Sequence, residues 1–287
     1  LKDKHVVFGI VIDGEARAYP KRILAWHELA LDELGGTPLT LVYCTLCGAV
    51  IPYDSDVAGK DLTFGTSGLL YRSNKLMFDA ETNSLWSSLY GRPVVGPLAD
   101  FDVELTKLPV VTTTWGEWKR RHPGTTVLSL DTGFDRDYRE GAAYRDYFRS
   151  DDPMFVVPRT DDRLPNKAEV LGLVLATDSA YRGNGRPLAI SHEFLRAHPL
   201  HQLEHGGKRL VVLTGSDGAS RAFELQDERF VRWQDDTHVV DEAGRVWRVT
   251  EEALVVGGGA VRRPRIAAHR AFWFAWYAQY PETVLVR

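Results

Sequence analysis

Cys44 and Cys47 are the only cysteines among 287 residues, and they sit on one short stretch, Val42-Tyr43-Cys44-Thr45-Leu46-Cys47-Gly48-Ala49. A pair at this spacing can ligate a soft metal as thiolates, cycle between dithiol and disulfide, or fill a core as two small apolar residues. A disulfide here would close too small a loop to stabilise the fold much through chain entropy. Met77 offers a third sulfur, and His27, in Trp26-His27-Glu28, offers a nitrogen ligand or a general base. Thiolate and thioether ligands select copper(I), so the metal expected on Cys44, Cys47, Met77 and His27 is copper. Zinc is the alternative, provided His27 and a carboxylate such as Asp79 complete a four-ligand shell. Thiol-disulfide exchange ranks below metal binding. Thioredoxin-like pairs open a helix, whereas Gly48 to Tyr53 reads as a strand with Pro52 as a brake. In an enzymatic form, a thiolate-bound metal would activate a substrate, or Cys44 or Cys47 would act as nucleophile with His27 as base. Ser67, Tyr71, Ser73, Asn74 and Asp79 would then line a pocket. A non-catalytic binding or structural module is the remaining alternative. Motifs for serine hydrolases, P-loops, dinucleotide sites and zincins are lacking.

The elements that position these residues repeat along the chain. Val42 to Asp54 aligns without gaps on Val212 to Glu224, pairing Gly48 with Gly218 and Tyr53 with Phe223. Trp115 and Trp118 fall on Trp273 and Trp276, and Asp79 and Trp86 on Asp241 and Trp247. The expected architecture is α+β: two tandem, pseudo-symmetric copies of one mainly antiparallel unit, over residues 1–130 and 168–287. Residues 131–167 form a connector rich in Asp, Gly and Pro. Its Phe134, Tyr138, Tyr144, Tyr147 and Phe148 make it too aromatic for disorder, so it should pack on both copies. Cys44 faces Thr214, Cys47 faces Asp217 and Met77 faces Val239, so the second copy is degenerate at every sulfur. Shared residues point to packing and the differences to function.

Within the first copy, Asp13-Gly14 signals a tight hairpin. From Pro20, the apolar positions Ile23, Leu24, Trp26, Leu29, Ala30 and Leu34 recur at helical spacing and predict a helix ending at Gly35-Gly36. Separate short strands are expected at Leu62–Gly65, Leu69–Tyr71 and Leu76–Phe78. Thr112 to Thr114 should cap a helix through Trp115 and Trp118.

A formal charge of −4 with no long Lys/Arg run gives no footprint for nucleic acid. The expected partner is a metal ion or a small molecule. No apolar run approaches the roughly 20 residues that span a bilayer. The chain opens at Leu1, as a processed product would.

Arg17-Ala18-Tyr19-Pro20, Tyr43-Cys44-Thr45-Leu46-Cys47-Gly48, Ser67-Gly68-Leu69-Leu70-Tyr71-Arg72-Ser73, Leu76-Met77-Phe78-Asp79, Ser84-Leu85-Trp86-Ser87 and Arg163-Leu164-Pro165 occur in one order over almost the whole length. In these motifs the chain resembles the bacterial and archaeal domain of unknown function 3179 family. The resemblance implies no established activity, and it implies an extracytoplasmic home. Thr45 stands where proline is common in that family, Ala25 where Asn is common, and Lys75 where an apolar residue is common.

Overall fold

Asp13 and Gly14 both take positive φ, 48° and 78°, the backbone of a tight hairpin turn. They join β1 (Val6–Ile12) to β2 (Glu15–Pro20) in the computed structural model, which describes residues 1–175 and 185–287. The helix α1 (Lys21–His27) follows and stops where Glu28 turns left-handed, at φ 60°. The predicted helix through Leu34 is therefore cut short. Leu29–Leu34 is instead β3, paired with β4 (Thr37–Cys44). The reason lies in Gly35 and Gly36, at φ 57° and 73°. Two such glycines close a hairpin, and the ladder they start pairs Leu29 to Leu34 with Val42 to Thr37 in place of further helical turns.

β5 (Ala49–Asp54) completes the sheet β3-β4-β5, and its edge position tolerates Pro52. β6 (Phe64–Tyr71), β7 (Asn74–Asp79), β8 (Leu85–Ser87) and β9 (Pro93–Val95) form a four-stranded meander. The strands expected separately on either side of Ser67 are one strand, β6, with an irregularity between Thr66 and Leu70. β10 (Val111–Thr114) returns to β1, and α2 (Trp115–Arg121) starts at Thr114, whose hydroxyl accepts from the Glu117 N–H at 3.3 Å. β11 (Thr126–Val127) lies parallel to β2, giving the sheet order β10-β1-β2-β11.

The connector carries α3 (Arg145–Arg149). Beyond it come β12 (Glu169–Leu175), β13 (Arg186–Ser191), α4 (His192–Ala197), β14 (Leu200–His205), β15 (Lys208–Thr214) and β16 (Ser220–Leu225). β17 (Phe230–Asp235), β18 (His238–Asp241), β19 (Val246–Val249), β20 (Ala253–Val256) and β21 (Val261–Ile266) continue the chain. It ends with β22 (Ala268–Phe272), α5 (Trp273–Gln279) and β23 (Val284–Val286). These strands form one sheet in the order β22-β12-β13-β23 and another in the order β14-β15-β16-β21-β20-β19-β18-β17. The fold is strand-rich and mainly antiparallel, with few and short helices.

One apolar cluster decides where the cysteines lie. Cys44, Cys47, Met77 and Trp86 are buried in it with Tyr147 of the connector and with Val170, Ala271 and the run Phe272–Trp276. The cysteine turn is thus enclosed by residues from both halves of the chain.

Candidate functional site: the cysteine turn

Cys44 closes β4 opposite Ala49, so Thr45 to Gly48 form the hairpin loop. The Cys47 N–H donates to the Cys44 carbonyl at 3.1 Å, and Gly48 takes φ 61°. The two sulfurs are joined as a disulfide, with Cα atoms 5.1 Å apart. Distant segments hold the loop in place. The Tyr147 hydroxyl donates to the Leu46 carbonyl at 2.5 Å, and the Phe272 N–H donates to the Cys47 carbonyl at 2.7 Å. Thr45 donates to the Ala25 carbonyl at 3.3 Å, so this residue, a departure from the family's usual proline, anchors the turn to α1. Cys44 is 4% exposed and Cys47 is fully buried.

The second wall comes from the β6–β7 hairpin. Its turn residues Arg72 and Ser73 are both held at positive φ, 49° and 60°. This costs on the order of 1 kcal/mol or more per non-glycine residue. The Ser73 carbonyl oxygen lies 3.5 Å from Cys47 Sγ. Asn74 Nδ2 donates to the Arg72 and Ala275 carbonyls at 2.8 and 2.9 Å. Ser73 Oγ and Asn74 Oδ1 are buried without a hydrogen-bond partner among the described residues. Unpartnered oxygens in a native interior are uncommon and mark sites that bind something or store strain. Three residues after Asn74, the thioether of Met77 is buried in the same cluster as both cysteines. Between them, Lys75 is 4% exposed and pairs with Glu28 at 2.5 Å. Burial lowers the Lys75 ammonium's pKa, and Glu28 pulls it back up.

The other residues singled out from the sequence are engaged elsewhere. His27 Nε2 is 2.5 Å from the Tyr138 hydroxyl, and its ring lies against Phe134 and Tyr138, with centroids 5.4 and 5.7 Å away. Burial holds its pKa below the ordinary histidine value, and Arg136 adds to the effect. Asp79 accepts from the Thr82 N–H and hydroxyl at 2.5 and 2.8 Å and from Trp86 Nε1 at 2.8 Å, which makes it the anchor of its own turn. Ser67 donates to the Leu76 carbonyl at 2.7 Å and closes the β6 irregularity, while half-buried Tyr71 lies under the Arg72 guanidinium. Among the described residues no group of three or more His, Cys, Asp and Glu side chains is arranged to hold a metal. His27 is engaged with Tyr138, and Asp79 with Thr82 and Trp86. Phe272 and Tyr147, which clamp the loop, had no local signal in the sequence beyond the connector's aromatic content.

Fold and site together define a strand-rich protein with a buried CxxC turn clamped by its own C-terminal segment. The chain belongs to the family described as Protein of unknown function (DUF3179), which it matches over residues 1–283. No curated protein and no solved structure matches it. Among the described residues no helix is long and apolar enough to cross a membrane.

Proposed function

We propose that the protein binds a soft metal, copper(I), through Cys44 and Cys47 as thiolates in the reduced state, with Met77 as the neighbouring thioether. The observation that carries this reading is the burial of all three sulfur side chains in a single apolar cluster. Sulfur-only donors in a dry surrounding favour a low-coordinate soft ion over zinc. The loop backbone is fixed by Tyr147 and Phe272, so little reorganisation is needed to present the pair. Anaerobic titration of reduced protein against a copper(I) chelator should give about one copper(I) per chain. Cys44→Ser and Cys47→Ser should each abolish it, and unchanged stoichiometry in both variants would overturn the reading.

The disulfide itself favours a second reading, thiol-disulfide exchange. Burial of both sulfurs opposes attack by a protein thiol, since exchange rates depend on access. A redox midpoint together with turnover of a test disulfide by copper-free protein would replace metal binding with exchange.

The division into units 1–130 and 168–287, with a connector over 131–167, belongs to the same proposal as a duplication. It is supported by the matching sheet orders β10-β1-β2-β11 and β22-β12-β13-β23. Indole donors Trp86 and Trp247 reach Asp79 and Asp241 at the same 2.8 Å. Each CxxC-equivalent turn also docks on the other half's helix start. The Cys47 carbonyl accepts from Phe272 N–H before α5, and the Asp217 carboxylate accepts from Thr114 N–H at 3.2 Å before α2. In this reading Asp217 and Thr214 keep only the structural half of the turn's role. An extracytoplasmic home, implied by the family, is checked by fractionating cells that express the full gene product.

A further inference from the structure

A cavity of about 550 Å³ opens between α1 and the connector, within the size range of small-molecule sites. Its polar lining is mostly cationic: Lys21 and Arg22 from α1, and Arg139, Arg145 and Arg149 from the connector, against one carboxylate, Glu140. Arg139 is neutralised by Asp137 at 2.6 Å. The other four cations have no carboxylate within ion-pair distance among the described residues. Arg145 Nε meets only the Gly141 carbonyl, at 3.4 Å. Arg22 Nε is buried with no hydrogen-bond partner, and Lys21 Nζ rests 4.8 Å above the Phe148 ring. Solvated arginines on an outer face need no counter-ion, but a buried guanidinium nitrogen and an ammonium held over an aromatic ring are already partly stripped of water. Burial lowers the Lys21 ammonium's pKa, with Glu169 and Glu140 acting against it. This positive concavity stands in a chain of net charge −4, so it reflects local placement rather than a basic surface overall.

We propose that this cavity binds a small organic anion bearing more than one negative oxygen, held by Arg22, Arg145 and Arg149 and seated against Phe148. Planar guanidinium forks match carboxylate and phosphate groups bidentately. Phe148, Ala25 and Ala143 supply an apolar wall for the ligand's carbon body. The shared chemistry is a multiply charged oxyanion, which a polycarboxylate or a phosphate ester would supply. The site does not depend on the copper reading, because none of its lining residues is a sulfur donor.

Titration calorimetry with citrate as the polycarboxylate arm and phenyl phosphate as the phosphate arm tests it at low ionic strength. Saturation by either arm at about one per chain supports the site and names the acid group. The double variant Arg145→Gln/Arg149→Gln removes two exposed side chains and should weaken that binding at least about tenfold. The charge-matched control Arg232→Gln/Arg248→Gln, on exposed β17 and β19 positions, should leave it unchanged. Failure of both probes to saturate overturns the proposal, and so does an equal loss in the control.

Discussion

Gly48 is the position where the cysteine turn has least room. Its φ is 61°, and a Cβ there would lie 3.1 Å from the Phe272 ring. Gly48→Ala should therefore cost about 1–3 kcal/mol in a denaturant titration. Ser73 is the opposite case: a non-glycine residue holds φ 60° to aim its carbonyl at Cys47. Ser73→Gly should raise stability by up to about 1 kcal/mol, and a loss instead would mean that the serine side chain is stabilising where it stands. The sequence made the sulfur residues conspicuous because cysteine is rare here and the spacing is short. It could not place His27, since the Tyr138 hydroxyl that the imidazole meets is 111 residues distant. The same limit hid Phe272, whose N–H closes the turn. The anion cavity was equally illegible, because its cations come from two segments that only the folded connector brings together.

Hairpins with two left-handed turn residues were readable from the sequence when the pair was Asp-Gly and misread when it was Gly-Gly. Helical spacing of Leu29, Ala30 and Leu34 suggested a continued α1, yet the same residues suit β3 against β4. The turn glycines decide between the two, and they differ in consequence. A Cβ on Gly35 would meet the Ile12 carbonyl oxygen at 2.4 Å, whereas Gly36 has open space around it. Gly35→Ala should cost on the order of 3 kcal/mol, and Gly36→Ala about 1 kcal/mol from its φ of 73° alone. Equal losses in thermal or denaturant unfolding would contradict this account of the turn. The helix starts were more legible than the helix ends: Thr114 caps α2 as the sequence suggested, because capping is set by residues within one turn.

Helix α2 of the first half meets the second half in a buried ion cluster that no local motif reveals. Glu251 takes a bidentate pair from Arg221, with contacts of 2.6 to 3.0 Å, and a 2.5 Å contact from Arg265; Arg121 of α2 lies 3.5 Å away. Burial alone would raise the Glu251 carboxyl, but Arg221 and Arg265 hold it well below the ordinary value. Removing that carboxylate leaves guanidiniums buried without a counter-charge, so Glu251→Gln should cost about 3–5 kcal/mol. The pH dependence has two limbs, both falling toward acid. His269 is 5% exposed, and burial pushes its pKa to about 3 from an unfolded value near 6.5. The unfolded chain therefore takes up that proton first, and folding free energy declines as pH falls below about 6.5, by about 2 kcal/mol at pH 5. His192, pushed by burial to about 4, acts in the same direction with less effect because it is half-buried. Glu251 adds its loss only below its unfolded pKa near 4.5, where the unfolded carboxylate protonates while the folded one resists. Unfolding free energies measured from pH 7 to 4 should then fall throughout. His269→Gln should flatten the upper limb without abolishing it, and Glu251→Gln should flatten only the lower one. A wild-type curve that is level between pH 7 and 5 would show that the His269 ring is hydrated, and with it that the packing of β22 against α5 is looser than the buried Trp276 contact implies.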